Sequence, residues 1–354
     1  MFRHRFVLMV IPCCLVIVAS GTMSALVLVG AWGDNTEDGQ EIELAPDPEP
    51  IVRYFSRLTG LAVKGKEALN SSATCIMIEN SPVSRPQSGL RNAGVIYEAT
   101  AEGGITRFMA VYQAHDLPTL IGPVRSIRMQ YAEWAKNYQC AVAHWGGADD
   151  ALRLVRGPGF RDADQFFNPS AYWRQAGRYA PHNGYTNAER QTALNAARGF
   201  GTSEFTGFPR AVGGVLPTRS KVEAKVVNIT ISSTPFNVKY EYDAVNNVYW
   251  RAHVNGGAHM DQDIEGTKTQ NAPKVVVALM TSEVGRAGGY YTNVVAIGTG
   301  KAHIFQNGEY IEASWKKGSM DSELEFYGVD GKVVVLVPGQ VWISAVANKP
   351  VTWQ

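Results

Sequence analysis

Two neighbouring segments, YEATAEGGITRFMAVY at 97–112 and IGPVRSIR at 121–128, carry more charge than strands need to build a core. Their charged residues are Glu98, Glu102, Arg107, Arg125 and Arg128. A buried arginine needs a carboxylate or an anionic ligand beside it, because an unpaired charge in an apolar interior is costly. The arginines therefore either pair with glutamates and hold the fold together, or they bind an anion.

A β-hairpin is predicted to position Arg107. GVIYEATAE and ITRFMAVYQ are strand-like runs joined by Gly103 and Gly104, a typical two-residue turn. Side chains alternate along a strand, so Arg107 shares a face with Met109 and Val111, beside the turn. We expect the two glycines to border a ligand held by Arg107. Pairing of Arg107 with a glutamate of the hairpin is the alternative.

A strand end followed by a helix is predicted to position Arg125 and Arg128. TLIGPVR reads as a strand, and Ile127, Tyr131, Trp134 and Tyr138 then recur at helical spacing. With a helix beginning at Ser126, free backbone N–H groups and the helix dipole favour a phosphate or carboxylate there. Arg125 adds a bidentate fork and Arg128 a second one. A surface arginine without a ligand is the alternative.

The strand CAVAHW ends in a similar way at His144. Gly146 and Gly147 follow as a tight turn, and ADDALRLVR then forms a short helix with an aspartate at its N-cap. Ligands of open α/β sheets gather at the carboxyl ends of strands, so His144 and Arg125 are expected at one rim. A satisfied structural histidine is the alternative for His144.

The loop RYAPHNGYT supplies the last candidates, His182 and Asn183. It precedes a helix predicted over 187–198, with Thr186 and Glu189 as a capping box. We expect this loop to close over the same rim. An exposed turn is the alternative.

The predicted site divides into groups that transfer protons and groups that bind. Histidine changes charge near neutral pH and acts as a general acid or base, and a carboxylate can orient it. The predicted catalytic residues are His144, His182, Glu98 and Glu102. The predicted ligand-binding residues are Arg107, Arg125, Arg128, Asn183, Gly103, Gly104, Gly146 and Gly147.

Several familiar chemistries lack their motifs here. The chain has no P-loop, no G-x-S-x-G elbow, no H-E-x-x-H and no C-x-x-C pair. His253 and His259 are followed by Asp261 and Asp263, but the polarity of a turn explains that spacing as well as a metal does. We therefore predict no metal and no cofactor. Residues 51–354 contain 31 basic and 25 acidic residues, a mild excess that permits an anionic partner but argues against a nucleic-acid partner.

The N-terminus is predicted to cross the bacterial cytoplasmic membrane once. Residues 6–32 contain no charged residue, a run longer than the roughly 20 residues that span a bilayer and the roughly 7–15 of a cleaved signal peptide. Arg3 and Arg5 precede the run and acidic residues follow it, which places the N-terminus inside. We predict an uncleaved anchor over 1–32, then an acidic, proline-containing linker over 33–50.

Two domains are predicted outside the cytoplasm. Residues 51–212 alternate strands with helices and are predicted as an α/β domain, a mixed sheet with flanking helices, that carries the candidate site. Residues 213–354 are mostly strand-like and are predicted as a β-rich domain. Cys75 and Cys140 lie in the first domain, either as a disulfide or as two buried free thiols.

The motifs in order resemble the YerB-like family of bacterial envelope proteins, many of which are lipoproteins. The likeness runs from SRPQSGL through the two charged segments, AHWGG and APHNGYT, to GKAHIFQNGEYIEASWKK and LVPGQVWI, over roughly residues 53–347. It implies an envelope location and a β-rich second domain, but no reaction, because the family's activity is unassigned. Cys13 and Cys14 lie in the middle of the apolar run, so the membrane span replaces the lipid.

A more distant likeness is to the LytR–CpsA–Psr enzymes. Those enzymes transfer glycans from polyprenyl pyrophosphate to the cell wall, with arginines on the pyrophosphate and an aspartate on a metal. Arg107 and Arg125 stand in for the arginines. Phe108 follows Arg107 and Ser126 follows Arg125, so neither motif supplies the metal-binding acid.

These features predict a membrane-anchored, extracytoplasmic envelope protein with a site for a phosphorylated or carboxylated envelope glycan. One alternative is a non-enzymatic scaffold that binds a protein partner, and another is a glycan phosphotransferase that acts on a polyprenyl-phosphate ligand. An open rim where Arg125, His144 and His182 converge supports a ligand site. A closed network, with each arginine paired to Glu98 or Glu102, supports a scaffold.

Overall fold

The computed structural model describes residues 53–285 and 291–354, and Ile51–Gln354 form one unit. Within those ranges the α-helices are α1 (Met129–Ala135), α2 (Asp149–Val155) and α3 (Ala188–Ala197). The predicted anchor over 1–32 and linker over 33–50 lie outside the described residues. In the described part, no helix combines the length and the apolar character needed to cross a membrane.

Strands and short 3-10 helices make up most of the remaining regular structure. The strands are β1 (Tyr54–Phe55), β2 (Ala62–Val63), β3 (Ala73–Glu79), β4 (Val95–Glu102), β5 (Ile105–Gln113), β6 (Ala141–His144), β7 (Arg161–Asp164), β8 (Trp173–Arg174), β9 (Gly184–Tyr185), β10 (Val226–Ile229), β11 (Val238–Asp243), β12 (Val248–His253), β13 (Gly257–Ala258), β14 (Met260–Gln262), β15 (Lys268–Gln270), β16 (Val275–Thr281), β17 (Glu283–Gly285), β18 (Thr292–Val294), β19 (Gly298–Gln306), β20 (Glu309–Lys317), β21 (Glu325–Gly328), β22 (Val341–Ala347) and β23 (Val351–Trp353). The 3-10 helices are Lys66–Asn70, Pro82–Ser84, Leu90–Asn92, Ala114–Asp116, Lys136–Tyr138, Pro169–Ala171 and Thr234–Phe236.

A ten-stranded mixed sheet organises the molecule, in the order β21-β20-β19-β16-β22-β4-β5-β3-β6-β7. Five of its strands come from before residue 212 and five from after it. The junction is β22, which pairs in parallel with both β16 and β4. A second sheet, β13-β12-β11-β10-β23, is built from the C-terminal part of the chain.

The central strands are buried on both faces, which explains their nearly continuous apolar sequence. The predicted alternation on β5 is confirmed. Met109 and Val111 belong to one buried cluster, and Phe108 and Ala110 belong to another. The hairpin of β4 and β5 is also confirmed, with Gly103 and Gly104 at positive φ in its turn. Positive φ at both positions is what this kind of turn requires.

The predicted amphipathic helix is confirmed, but its start is not. Tyr131 and Trp134 of α1 are buried, and Tyr97 of β4 stacks on Trp134 with ring centroids 5.0 Å apart. The helix begins at Met129 and not at Ser126. The preceding residues are extended, because their backbone groups bond to neighbouring strands, as in Arg125 N–H to the carbonyl of Met77 at 2.9 Å.

Both predicted helix caps were wrong, although the helices exist. The N-cap of α3 is Asn187, whose side chain accepts a hydrogen bond from Arg190 N–H at 2.9 Å. The N-cap of α2 is Ala148, so no aspartate side chain caps that helix.

A disulfide joins Cys75 to Cys140, with Cα atoms 5.7 Å apart, which excludes the free-thiol alternative. The bond connects β3 to the turn before β6, its parallel neighbour. It therefore fastens two of the strands that carry the candidate site.

The part after residue 212 is rich in strands, as predicted, and its described residues contain no α-helix. The predicted hairpin at Asn307 and Gly308 joins β19 to β20, and both residues have positive φ.

Candidate functional site

The carboxyl ends of four strands meet at one edge of the main sheet. Strands β3, β4, β6 and β7 run in the same direction, because β3 and β4 both lie antiparallel to β5 and β6 and β7 extend the parallel set. They end at Glu79, Glu102, His144 and Asp164. This edge, called the rim below, is where ligands of such sheets commonly bind.

Glu79 is the centre of the first rim cluster. Its Oε1 lies 2.9 Å from Nδ1 of His182 and accepts a hydrogen bond from the Ser81 hydroxyl at 2.8 Å. Its Oε2 lies 3.4 Å from Nε of Arg125. The carboxylate therefore holds two of the residues that the sequence predicted to converge.

The side chain of Arg125 contacts Glu79 but forms no hydrogen bond with the described residues. Its Nε lies 3.4 Å from Oε2 of Glu79, which is close enough for an ion pair. The N–H is not aligned for a hydrogen bond, so both of these buried atoms lack a hydrogen-bond partner. We regard the contact as an ion pair alone. Among the described residues, no side-chain nitrogen of Arg125 has a hydrogen-bond partner, and the side chain is 23% exposed.

His182 is arranged in the same way. Its Nδ1 faces the buried carboxylate, while Nε2 has no partner in the described part of the chain, and the side chain is 31% exposed. A carboxylate on one nitrogen fixes the ring and leaves the other nitrogen to exchange protons.

Glu102 is the centre of a second, closed cluster. Its Oε1 accepts a hydrogen bond from Arg107 at 2.5 Å, and its Oε2 accepts two from Arg128, at 2.7 and 3.1 Å. Arg107 also donates to the Ser126 carbonyl, and the Arg128 guanidinium lies over the ring of Tyr291. Arg107 and Arg128 are therefore committed inside the protein, which contradicts their predicted ligand-binding role.

The electrostatics of this cluster agree with its geometry. Burial acts to raise the pKa of Glu102, but the charges of Arg107 and Arg128 and their hydrogen bonds outweigh it, and the pKa is lowered. Burial lowers the pKa of Arg128 to about 10, and the charge of Arg107 acts in the same direction. The cluster stabilises the hairpin and α1.

His144 does not share the first cluster. It is fully buried, with Nδ1 2.8 Å from the Gly146 carbonyl and Nε2 2.9 Å from Asp162. Both ring nitrogens are engaged, so the predicted proton-transfer role for His144 is wrong. Gly146 N–H is also engaged, since it donates to Asp164 at 2.9 Å.

The other predicted binding residues serve the fold. Asn183 accepts a hydrogen bond from Arg174 at 2.6 Å and donates to the Arg178 carbonyl at 3.0 Å. A side chain at Gly147 would collide with Ile127. At the hairpin turn, the Gly104 carbonyl accepts a hydrogen bond from Ser232, while Gly103 has open space beside it. Asn183, Gly147 and Gly104 therefore have structural roles that need no ligand, whereas no such role is found for Gly103 apart from its positive φ in the turn.

Glu98 lies in a third cluster, which the sequence did not suggest. It is fully buried and accepts hydrogen bonds from Arg251 at 2.8 Å and from the Trp342 indole at 3.1 Å. The guanidinium of Arg251 lies 4.5 Å from the centre of the Trp342 ring. The prediction that Glu98 or Glu102 orients the histidines is therefore wrong, because both carboxylates bind arginines.

Glu79 is the residue of the candidate site that sequence reasoning missed. It ends the apolar run ATCIMIEN, so a carboxylate at the end of a predicted strand was the available signal. Nothing in the local spacing connects it to His182, which lies 103 positions later.

Comparisons with known proteins agree on one family. The model described as "Protein of unknown function (DUF3048)" matches through its N-terminal domain at residues 58–201 and its C-terminal domain at 227–343. "Putative lipoprotein YerB" of Bacillus subtilis (strain 168) is 27% identical over 303 residues, which cover 85% of this chain and 88% of that protein. The crystal structure of the YerB protein from Bacillus subtilis is 25% identical, with a TM-score of 0.72 over 84% of this chain and 99% of that one.

Proposed function

Since the chain belongs to the YerB-like, DUF3048 family, we propose that it is an envelope protein whose rim site at Glu79, Arg125 and His182 binds an anionic envelope glycan. In this proposal, residues 6–32 anchor the chain in the cytoplasmic membrane with its N-terminus inside. The folded part faces outwards, where phosphorylated and carboxylated glycans are found. The disulfide between Cys75 and Cys140 supports an oxidising location.

The observation that carries the proposal is the uncommitted guanidinium of Arg125. Arg107, Arg128 and Arg251 all donate side-chain hydrogen bonds to buried carboxylates, whereas the side chain of Arg125 donates none to the described residues. Nε of Arg125 faces Glu79, and the two terminal nitrogens remain available. A guanidinium in this state can bind the two oxygens of a carboxylate or phosphate.

His182 extends the proposal from binding to proton transfer. Its Nε2 shares the rim with Arg125, and Glu79 fixes the ring from the opposite side. An anion bound to Arg125 would bring a neighbouring hydroxyl or bridging oxygen within reach of a general acid or base. An assay for turnover of the bound glycan would test whether His182 transfers a proton.

The experiment is a binding titration with the full-length protein in detergent micelles. The panel contains muropeptides, poly(glycerol phosphate), polygalacturonate and a polyprenyl pyrophosphate. We expect at least one anionic glycan to bind, and Arg125→Ala to weaken it by about tenfold or more, the effect of a charged hydrogen bond. Arg125→Lys should restore part of the loss.

The exposed Arg153 of α2 provides the matched control, because Arg153→Ala removes the same charge from a residue outside the cluster of Glu79, Arg125 and His182. No binding to any panel member, or equal binding by folded Arg125→Ala, would refute the rim site.

The scaffold alternative is favoured by a different observation, the closed cluster of Glu102, Arg107 and Arg128. These groups need no ligand and act as an internal network. The transferase alternative required Arg107 and Arg125 on one pyrophosphate, and the hydrogen bonds of Arg107 to Glu102 and Ser126 do not support it.

A further inference from the structure

A cavity of about 220 Å³ lies beside the third cluster, between β12, the hairpin of β14 and β15, and the segment at Arg85. Its lining includes Arg85, Pro86, His253, His259, Met260 and Lys268. Glu79, Arg125 and His182 do not line it, so it is distinct from the rim site. The cavity has room for several water molecules, and thus for a group of about the size of a monosaccharide.

His253 is a buried side chain that packs against the ring of His259 but has no hydrogen-bond partner among the described residues. It is 5% exposed, and neither ring nitrogen forms a hydrogen bond with any residue that the structure describes. Leaving a buried polar group unbonded costs stability, so such a group calls for an explanation. His259 differs, because its two nitrogens contact Arg251 and Gln87.

The ring of His253 is neutral at physiological pH. Burial, followed by the positive charges of Arg251 and Arg85, lowers its pKa to about 2. A neutral imidazole offers one N–H donor and one acceptor nitrogen. Either nitrogen can bond to a hydroxyl group, because a hydroxyl both donates and accepts.

The charge of the lining is positive. Arg85 and Lys268 both border the cavity, and its lining contains no aspartate or glutamate among the residues that the structure describes. Nε of Arg85 donates a hydrogen bond to the Asn80 side chain, and one terminal nitrogen donates to the carbonyls of Asn80 and Pro235. The other terminal nitrogen has no partner among the described residues. Burial lowers the pKa of Arg85 to about 10, with the charge of Arg251 acting in the same direction. An anion in the cavity would relieve this repulsion.

We propose that the cavity binds a small hydroxylated anion, such as a sugar carboxylate or sugar phosphate, with Arg85 and Lys268 on the oxyanion and His253 on a hydroxyl. The oxyanion supplies the missing negative charge, and the hydroxyl pairs with one of the two unpartnered nitrogens of His253. Carboxylate and phosphate share this chemistry, so both are tested.

The test is calorimetric titration of the full-length protein in detergent micelles with glucuronate, glucose 6-phosphate and, as the neutral control, glucose. We expect at least one anion to bind and glucose to bind at least tenfold more weakly. Lys268 is exposed, so Lys268→Glu should leave the fold intact and weaken the anion about tenfold or more. The matched control is Lys316→Glu on an exposed position of β20, with unchanged affinity expected.

His253→Leu adds a second readout. This substitution should weaken anion binding about tenfold. In the absence of ligand it should raise the Tm, because it replaces an unsatisfied polar group with an apolar one. His253→Gln keeps a donor and an acceptor and should recover binding. Failure of both anions to bind, unchanged affinity in Lys268→Glu, or a lower Tm in ligand-free His253→Leu would overturn the proposal.

Discussion

Nδ1 of His182 lies 2.9 Å from Oε1 of Glu79, although 103 positions of sequence separate the two residues. The contact joins the end of β3 to the loop before α3. It brings a titratable ring and the uncommitted Arg125 to one buried carboxylate. Glu79 therefore sets the positions of both groups, and its negative charge opposes an anion bound between them.

Replacing Glu79 by Gln should strengthen anion binding at Arg125. The variant keeps the shape of the side chain but removes the negative charge that competes with the ligand. A unit charge at about 4 Å contributes roughly 1 kcal/mol even in bulk water, so a gain of about fivefold or more is expected. Titration with polygalacturonate measures it. Ser81→Ala, which keeps the Glu79 charge, is the control. Weaker binding by Glu79→Gln would mean that the carboxylate itself contacts the ligand.

Replacing Glu102 by Gln should destabilise the protein by about 3–5 kcal/mol at pH 7, because two buried arginines lose their counter-charge. The folded-state pKa of Glu102 is lowered, so its stabilisation is complete above the ordinary value of 4.5 and is lost as the pH falls through the folded-state value. Denaturant unfolding at neutral and acidic pH should show the two proteins converging in acid. The exposed Glu265→Gln is the control, and an equal effect of both substitutions at pH 7 would contradict the prediction.

Asp261 should make stability fall as the pH rises from about 4 to about 6. It accepts hydrogen bonds from the N–H groups of Gly89 and Leu90, but burial outweighs them and raises its pKa to about 6. The unfolded chain releases this proton at the ordinary value of 3.8, before the folded chain does, so rising pH favours unfolding across that window. Relative to Asp261→Asn, the unfolding free energy of the wild type should fall between about pH 4 and about pH 6 and stay constant above about pH 6. Parallel curves would refute this assignment.

Removing the disulfide should destabilise the protein by about 4 kcal/mol. The bond closes a loop with a sequence separation of 65, and the entropy of the unfolded chain rises when the loop opens. Denaturant unfolding of the Cys75→Ala, Cys140→Ala double variant measures the loss. Wild type unfolded under reducing conditions should match the double variant. Wild type that is insensitive to reductant would argue against the bond.

Local features of the fold could be predicted from the sequence. The turn at Gly103 and Gly104 and the helical spacing of Tyr131 and Trp134 depend on neighbours along the chain, and both are found. The start of α1 could not be predicted, because the backbone before it bonds to strands far away in sequence.

The candidate site was predicted only in part, for a related reason. A strand end identified Arg125 and a polar loop before a helix identified His182, but the pairing of side chains depends on sheet order and on loop paths. Arg251 reaches Glu98 across 153 positions, and no local pattern indicates that contact. Sequence spacing found the charged residues, whereas their partners required the tertiary structure.

The central position of β22 has a consequence for biosynthesis. Because Val341–Ala347 pairs with both β4 and β16, the main sheet stays divided until nearly the whole chain has been made. During that time β4 exposes an unpaired edge, which is prone to pair with other chains. A nascent or truncated chain that ends before residue 341 therefore needs protection from aggregation, although it already contains every residue of the rim site.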